Sequence, residues 1–149
     1  MTMRAVFVQA AANPNGPAMA CFDRLAHLNG QLCLSDAILL EIGEVLNRPE
    51  LRQRLTRLTP IRVGQFLDDV RAAALVIDVI PHAFSLPRDS KDEPYLDLAI
   101  AAGADYLLTW NARHLTYLMN EDSPEGKEFR RRYPKLTITN PVEFLHVTT

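Results

Sequence analysis

The stretch Arg88–Asn111 most constrains the fold of this chain, because it joins a helix start, a helix end and a buried strand. Three acidic side chains open it: Asp89, Asp92 and Glu93. They precede an apolar helix over Leu96–Ala102, which Gly103 ends. The run Tyr106–Leu108 follows as a buried strand, and Asn111 lies just beyond its carboxyl end. In open α/β sheets, ligands bind where strands end in this way.

Strand-like and helix-like segments alternate along the rest of the chain. The predicted strands are Arg4–Val8, Leu32–Leu34, Leu75–Ile80, Tyr106–Leu108 and Leu136–Ile138. Amphipathic helical segments separate them, the strongest opened by Ser35 or Asp36, either of which can act as the N-cap. Residues 120–133 are polar without apolar periodicity and predict no regular element. This alternation predicts an α/β fold with a parallel sheet flanked by helices, in a single domain over residues 1–149.

Composition excludes several function classes. The chain has 149 residues, of which 48% are hydrophobic, and 16 basic against 18 acidic residues give a net charge of −2. No overall positive field therefore recruits nucleic acid, and any such binding requires a local patch. Cys21 and Cys33 lie in apolar segments, which favours free thiols in a reducing cytoplasm over a disulfide. No apolar run reaches the length of a membrane span, so we expect no membrane association.

Three polar residues are candidates for a functional site, and each has a structural alternative. Asp92 precedes Glu93 and Pro94, so it could simply cap the helix. Glu41 is flanked by apolar neighbours, where a carboxylate is either a site residue or lies at the solvated edge of the helix. Asn111 could be a turn residue or the cap of a following helix.

Together these candidates form a set of hard oxygen ligands. Carboxylate and amide oxygens suit Mg²⁺ or Mn²⁺ better than zinc. Such ions activate water and stabilise charge at a phosphodiester. A basic segment carrying Arg48, Arg52, Arg54 and Arg57 would add a local surface for a phosphate backbone. A solvated helical face is the commoner explanation of such a segment.

Three segments of the chain resemble the PIN-domain family. They are LSDAILLEIGEVLNRPEL (34–51), RDSKDEPYLDLAIAAGADYLLTWNARHL (88–115) and LTITNPVEFL (136–145). The bacterial branch that contains the toxins of toxin–antitoxin pairs is the most similar. The resemblance implies a Rossmann-like sheet and a metal-dependent endoribonuclease with Mg²⁺ or Mn²⁺ at the carboxyl edge of the sheet. Glu41 and Asp92 match acids of the family, and Asn111 stands where the family has Asp or, less often, Asn.

The N-terminus departs from the family pattern. The first strand of these domains ends in Asp-Thr-Asn, whose Asp is the leading metal ligand, whereas here RAVF runs directly into VQAAANPNGP and no acid precedes Asp23. We therefore expect either a weakened ribonuclease acting on single-stranded RNA or an inactive module that binds RNA or an antitoxin protein. Family members often dimerise, and the apolar helices between Leu39 and Leu67 would allow a homodimer.

Overall fold

The computed structural model describes residues 4–86, 90–110 and 115–149. Its helices are α1 (Arg4–Ala12), α2 (Pro17–His27), α3 (Asp36–Leu46), α4 (Pro49–Arg54), α5 (Pro60–Ala73), α6 (Glu93–Ala102), α7 (Pro124–Arg132) and α8 (Pro141–Val147). Its strands are β1 (Leu32–Leu34), β2 (Ala74–Val76), β3 (Tyr106–Leu108) and β4 (Thr137–Thr139). Short 3₁₀ turns cover Ser90–Asp92 and Thr116–Met119. Within these described ranges, no helix has the length and apolar composition needed to cross a membrane.

The strands form two parallel pairs. β1 pairs with β2, with Leu32 opposite Ala74, and β3 pairs with β4, with Tyr106 opposite Thr137. Each pair is a separate two-stranded sheet, and all four strands have only three residues. The predicted parallel pairing and flanking helices are confirmed. The described chain is nevertheless richer in helix than expected, and two short pairs stand in place of one continuous sheet.

The predicted first strand, Arg4–Val8, is wrong: this run is the first half of helix α1. The run continues without a turn signal through Gln9 into three alanines, and alanine is the strongest helix former. Val6 and Ala10, four residues apart, are both buried, so the helix also presents an apolar contact to the core. Local helix propensity therefore prevails over the β-prone side chains of the run.

Two further differences arise in the second half of the chain. The predicted strand Leu75–Ile80 is only Ala74–Val76, because β1 ends at Leu34 and the last rung is the Ile77 N–H donating to the Leu34 carbonyl at 2.8 Å. Residues 120–133, predicted to lack regular structure, contain helix α7. One fully buried side chain, Phe129, anchors this otherwise polar helix against the ring of Phe84, with 5.3 Å between ring centroids.

The residues that begin α3 and end α6 are those that the sequence predicts. Ser35 is the N-cap of α3, and its hydroxyl accepts the Ile38 N–H at 3.1 Å. Gly103 ends α6 in the left-handed region at φ 62°, a conformation that glycine adopts without steric cost. Helix α6 packs against both β1 and β3, and Leu96 within it is fully buried. Thus α6 connects the two strand pairs through its apolar face.

Because Gln9 lies inside α1, replacing it with proline tests the helical state of this segment. We expect Gln9→Pro to lower the free energy of unfolding by about 3 kcal/mol, since proline removes a helical hydrogen bond and clashes with the preceding turn. Gln9→Ala is the matched control and should change stability little. Urea denaturation measures both. Equal stability of the two variants would show that the segment is not helical.

Candidate functional site

Asp92 is the most deeply buried acid of the candidate site. It ends the 3₁₀ turn Ser90–Asp92 directly before α6, and its side chain is 0% exposed. It occupies the N-cap position, yet its carboxylate makes no capping hydrogen bond to α6. Capping therefore does not account for this buried carboxylate, although its position in the chain fits a cap. A carboxyl group is rarely buried to this extent without a specific role.

The neighbouring acid Glu93 has a structural role. Its Oε1 atom accepts the backbone N–H of Leu86 at 2.7 Å, which ties the preceding loop to the first turn of α6. Pro94 follows in that first turn, where its missing N–H costs nothing. Glu93 thus helps to hold the chain on either side of residues 87–89, a segment outside the described residues that includes Asp89.

Glu41 lies beside the start of α6. It is half-buried on α3, and its Oε2 atom accepts a hydrogen bond from the hydroxyl of Tyr95 at 3.1 Å. Tyr95 follows Asp92 by three residues, so the two residues occupy neighbouring positions on the surface of α6. This hydrogen bond therefore links Glu41 to α6, the helix that Asp92 directly precedes.

The residue that sequence reasoning missed here is Tyr95. Its side chain is only 5% exposed, and its hydroxyl connects α6 to the carboxylate of α3. A buried tyrosine normally directs its hydroxyl to a polar partner. Its spacing of three residues from Asp92, within an otherwise apolar helix, was the signal available in the sequence.

Asp97, a second acid of α6, forms hydrogen bonds with the loop before the helix. Its Oδ1 atom accepts the backbone N–H groups of Ala83 at 2.9 Å and Phe84 at 3.3 Å. Its Oδ2 atom lies 2.9 Å from Nδ1 of His82. The hydrogen bond and the charge of Asp97 raise the pKa of His82 above its usual value. Asp97 is therefore a structural residue that faces away from the candidate site.

The third predicted ligand, Asn111, lies outside the described residues, and the structure does not place it. In the described chain leading to it, β3 ends at Leu108, and the next residue, Thr109, is fully buried and donates its N–H to the Thr139 carbonyl at 2.9 Å. The placement of Asn111 relative to Glu41 and Asp92 therefore stays a prediction.

The carboxylates of Glu41 and Asp92 are of a chemical type that binds hard dications. Carboxylate oxygens are the preferred ligands of Mg²⁺ and Mn²⁺. The number of donors is smaller than a metal site needs. Across residues 4–86, 90–110 and 115–149, no cluster of three or more acidic, histidine or cysteine side chains could hold a metal. The described part of the site thus offers Glu41 and Asp92 alone.

The arginines of the predicted basic surface lie on different sides of helix α4. Arg48 precedes α4, while Arg52 and Arg54 lie within it, and successive helical residues are rotated by about 100°. Arg48 and Arg52 therefore share a side of the helix, whereas Arg54 lies on the opposite side. Arg52 is half-buried and donates to the side-chain oxygen of Asn47, whereas Arg48, Arg54 and Arg57 are exposed.

Comparison with known proteins gives one positive result. A family model described as "PIN domain" matches residues 5–113 of the chain. No curated protein and no solved structure matches the chain.

The contact between His82 and Asp97 predicts a pH dependence. The pKa of His82 is raised in the folded protein, so the contact stabilises the fold fully below pH 6.5 and loses its effect as the pH rises through the folded pKa. NMR titration of the His82 ring should show the raised pKa, and Asp97→Asn should lower it while keeping an oxygen acceptor for the loop. An identical His82 pKa in both proteins would contradict this assignment.

Proposed function

Because the chain belongs to the PIN-domain family, whose members are typically metal-dependent nucleases, we propose that it is an endoribonuclease. Its proposed substrate is single-stranded RNA, its cofactor Mg²⁺ or Mn²⁺, and its biological role that of a toxin in a toxin–antitoxin pair. The observation that supports this most directly is the full burial of Asp92 directly before α6, the helix whose Tyr95 binds Glu41. Two carboxylates at this position match the acids that the family pattern requires.

The proposed roles follow from the chemistry of each side chain. Glu41 and Asp92 would hold the metal ion, and Asn111 would act as an auxiliary ligand or orient water. A bound dication would supply an activated water and charge stabilisation at the phosphodiester. The Tyr95 hydroxyl fixes one oxygen of Glu41, which limits the rotation of that carboxylate and directs its second oxygen.

Arg48, Arg52 and Arg54 are the proposed contacts to the RNA backbone. The exposed Arg48 and Arg54 are available to phosphates, and Arg52 keeps a local partner in Asn47. Since such contacts are electrostatic, RNA affinity should fall as salt rises.

An antitoxin protein and a second copy of the chain are the proposed protein partners. Strongly exposed apolar side chains support a protein-binding surface on the α3–α5 side of the molecule. Leu40 on α3 is 71% exposed and Ile61 on α5 is 75% exposed, and these two helices pack on each other. Exposed apolar groups are typical of a surface that binds another protein where they form one contiguous patch.

An RNA cleavage assay with Mn²⁺ tests the nuclease proposal. We expect Glu41→Gln and Asp92→Asn each to reduce cleavage by about 100-fold, the size typical for removing one electrostatic stabiliser from an active site. Glu44→Gln, an exposed acid on the same helix α3, is the matched control and should retain activity. Thermal unfolding of each variant checks that it folds. Cleavage that is unchanged in both site variants would refute the proposed roles.

A non-catalytic module that binds RNA or an antitoxin is the second candidate. It is favoured by the small number of acids at the site, because the described residues hold no cluster of three or more side chains that could bind a metal. Fewer anionic ligands weaken the binding of a dication.

Calorimetric titration with Mn²⁺ separates the two candidates. Binding with a dissociation constant in the micromolar range that is lost in Asp92→Asn supports the nuclease. Absence of binding at millimolar Mn²⁺, together with retained RNA binding, supports the non-catalytic module.

A further inference from the structure

The loop before α6 carries a histidine and a serine that contact each other. His82 and Ser85 are three residues apart, and Nε2 of His82 lies 3.0 Å from Oγ of Ser85. On the other side of the ring, Nδ1 of His82 lies 2.9 Å from Oδ2 of Asp97. The three side chains therefore form one continuous chain of hydroxyl, imidazole and carboxylate, which is the arrangement of the catalytic groups in serine hydrolases.

The contact with Asp97 determines which nitrogen of the imidazole carries the proton. An ionised carboxylate can only accept, so in the neutral ring Nδ1 is protonated and donates to Asp97. Nε2 is then unprotonated, and the hydroxyl of Ser85 donates its hydrogen to it. The hydrogen bond and the charge of Asp97 also raise the pKa of His82, which makes the ring a stronger base. Neutral His82 is thus a base in contact with the proton that it would remove.

Two backbone amides hold the carboxylate of Asp97 in place. Its Oδ1 atom accepts the N–H groups of Ala83 and Phe84, and the residue is only 7% exposed. Both amides belong to the segment between His82 and Ser85. One carboxylate therefore fixes the backbone of the loop and orients the imidazole ring, so the geometry of the three side chains exists before any substrate binds.

The serine and the histidine are accessible, and a backbone donor lies beside them. Ser85 is exposed, and the side chain of His82 is 54% exposed. The amides of the two residues that flank Ser85 donate to the carboxylates of Asp97 and Glu93. The amide of Ser85 itself has no acceptor among the described residues. It is therefore available to donate to an oxygen that gains negative charge next to Oγ.

We infer that Ser85 is a nucleophile and His82 its general base in a second active site, which hydrolyses small activated esters. Nε2 of His82 takes the hydroxyl proton while Oγ of Ser85 bonds to the ester carbonyl carbon, whose π electrons move to the carbonyl oxygen. When this adduct collapses, the bond to the leaving oxygen breaks, and that oxygen receives the proton from Nε2. Water then attacks the acyl group and gives a proton to Nε2. The bond from Oγ to the acyl carbon breaks, Oγ recovers the proton, and the carboxylic acid is released.

The exposure of the site determines the class of ester. Because both reacting side chains lie at the surface, the site offers little binding energy to orient a large substrate. The ester must therefore be reactive in itself, with a small acyl group and an aryl leaving group. None of the three side chains belongs to the proposed nuclease site, so either activity can be lost without the other.

Labelling of the whole chain with a fluorophosphonate tests this inference. The reagent bonds to the Oγ of an activated serine with loss of fluoride, and peptide mass spectrometry locates the label. We expect label at Ser85 and none at Ser90, an exposed serine nearby in the chain that serves as the internal control. His82→Ala should slow the labelling of Ser85 by at least about 100-fold, the size of a general-base contribution. Equal labelling of both serines would overturn the inference, and so would an unchanged rate in the histidine variant.

Hydrolysis of p-nitrophenyl acetate distinguishes a serine nucleophile from an exposed imidazole that acts alone. We expect an initial burst of p-nitrophenolate and an acetyl group on Ser85, both of which Ser85→Ala should abolish. His146→Ala, which removes an exposed histidine of α8, is the matched control and should retain both. Circular dichroism verifies folding. Unchanged hydrolysis by a folded Ser85→Ala variant would overturn the inference; if that variant does not fold, labelling of the unaltered chain still decides.

Asp97 is a positioning residue, because it acts on the ester through His82. In Asp97→Asn the remaining oxygen keeps the two loop amides, so the new NH₂ group faces Nδ1 of His82 and donates to it. The ring proton then moves to Nε2, which can no longer accept from Ser85. Nitrogen NMR of the His82 ring should show this change of tautomer, and labelling of Ser85 should slow by at least about 100-fold. An unchanged labelling rate in the folded Asp97→Asn variant would overturn the role of Asp97.

Discussion

The packing of α6 against both β1 and β3 is the interaction on which the rest of the described structure depends. Backbone hydrogen bonds join β1 to β2 and β3 to β4, so apolar contact links the two pairs. Leu96 is fully buried and Leu98 is 5% exposed, and burying each such side chain contributes roughly 1.5–3 kcal/mol. Asp92 directly precedes this helix, and Tyr95 lies within it. Its packing therefore determines both the core and the positions of the candidate site residues.

The elements that could be predicted from the sequence are those whose local and tertiary signals agree. Helix α3 has a capping serine at Ser35 and a broad apolar stripe, and α6 ends at Gly103 in the conformation that glycine favours. The strand prediction for Arg4–Val8 is wrong because this β-prone run is followed by three alanines, and their high helix propensity prevails. Helix α7 was missed because a single buried residue, Phe129, provides its anchor, and one apolar residue creates no detectable period.

The residues of the candidate site stay a prediction, which the family resemblance made for Glu41 and Asp92. The structure adds that Asp92 is buried directly before α6 and that Glu41 is bound by Tyr95 of that helix. No periodicity in the sequence indicates that Tyr95 would bridge to Glu41, because that contact joins residues 54 positions apart. The full burial of Asp92 and its lack of a capping hydrogen bond also required coordinates, since a cap and a site acid would occupy the same place in the chain.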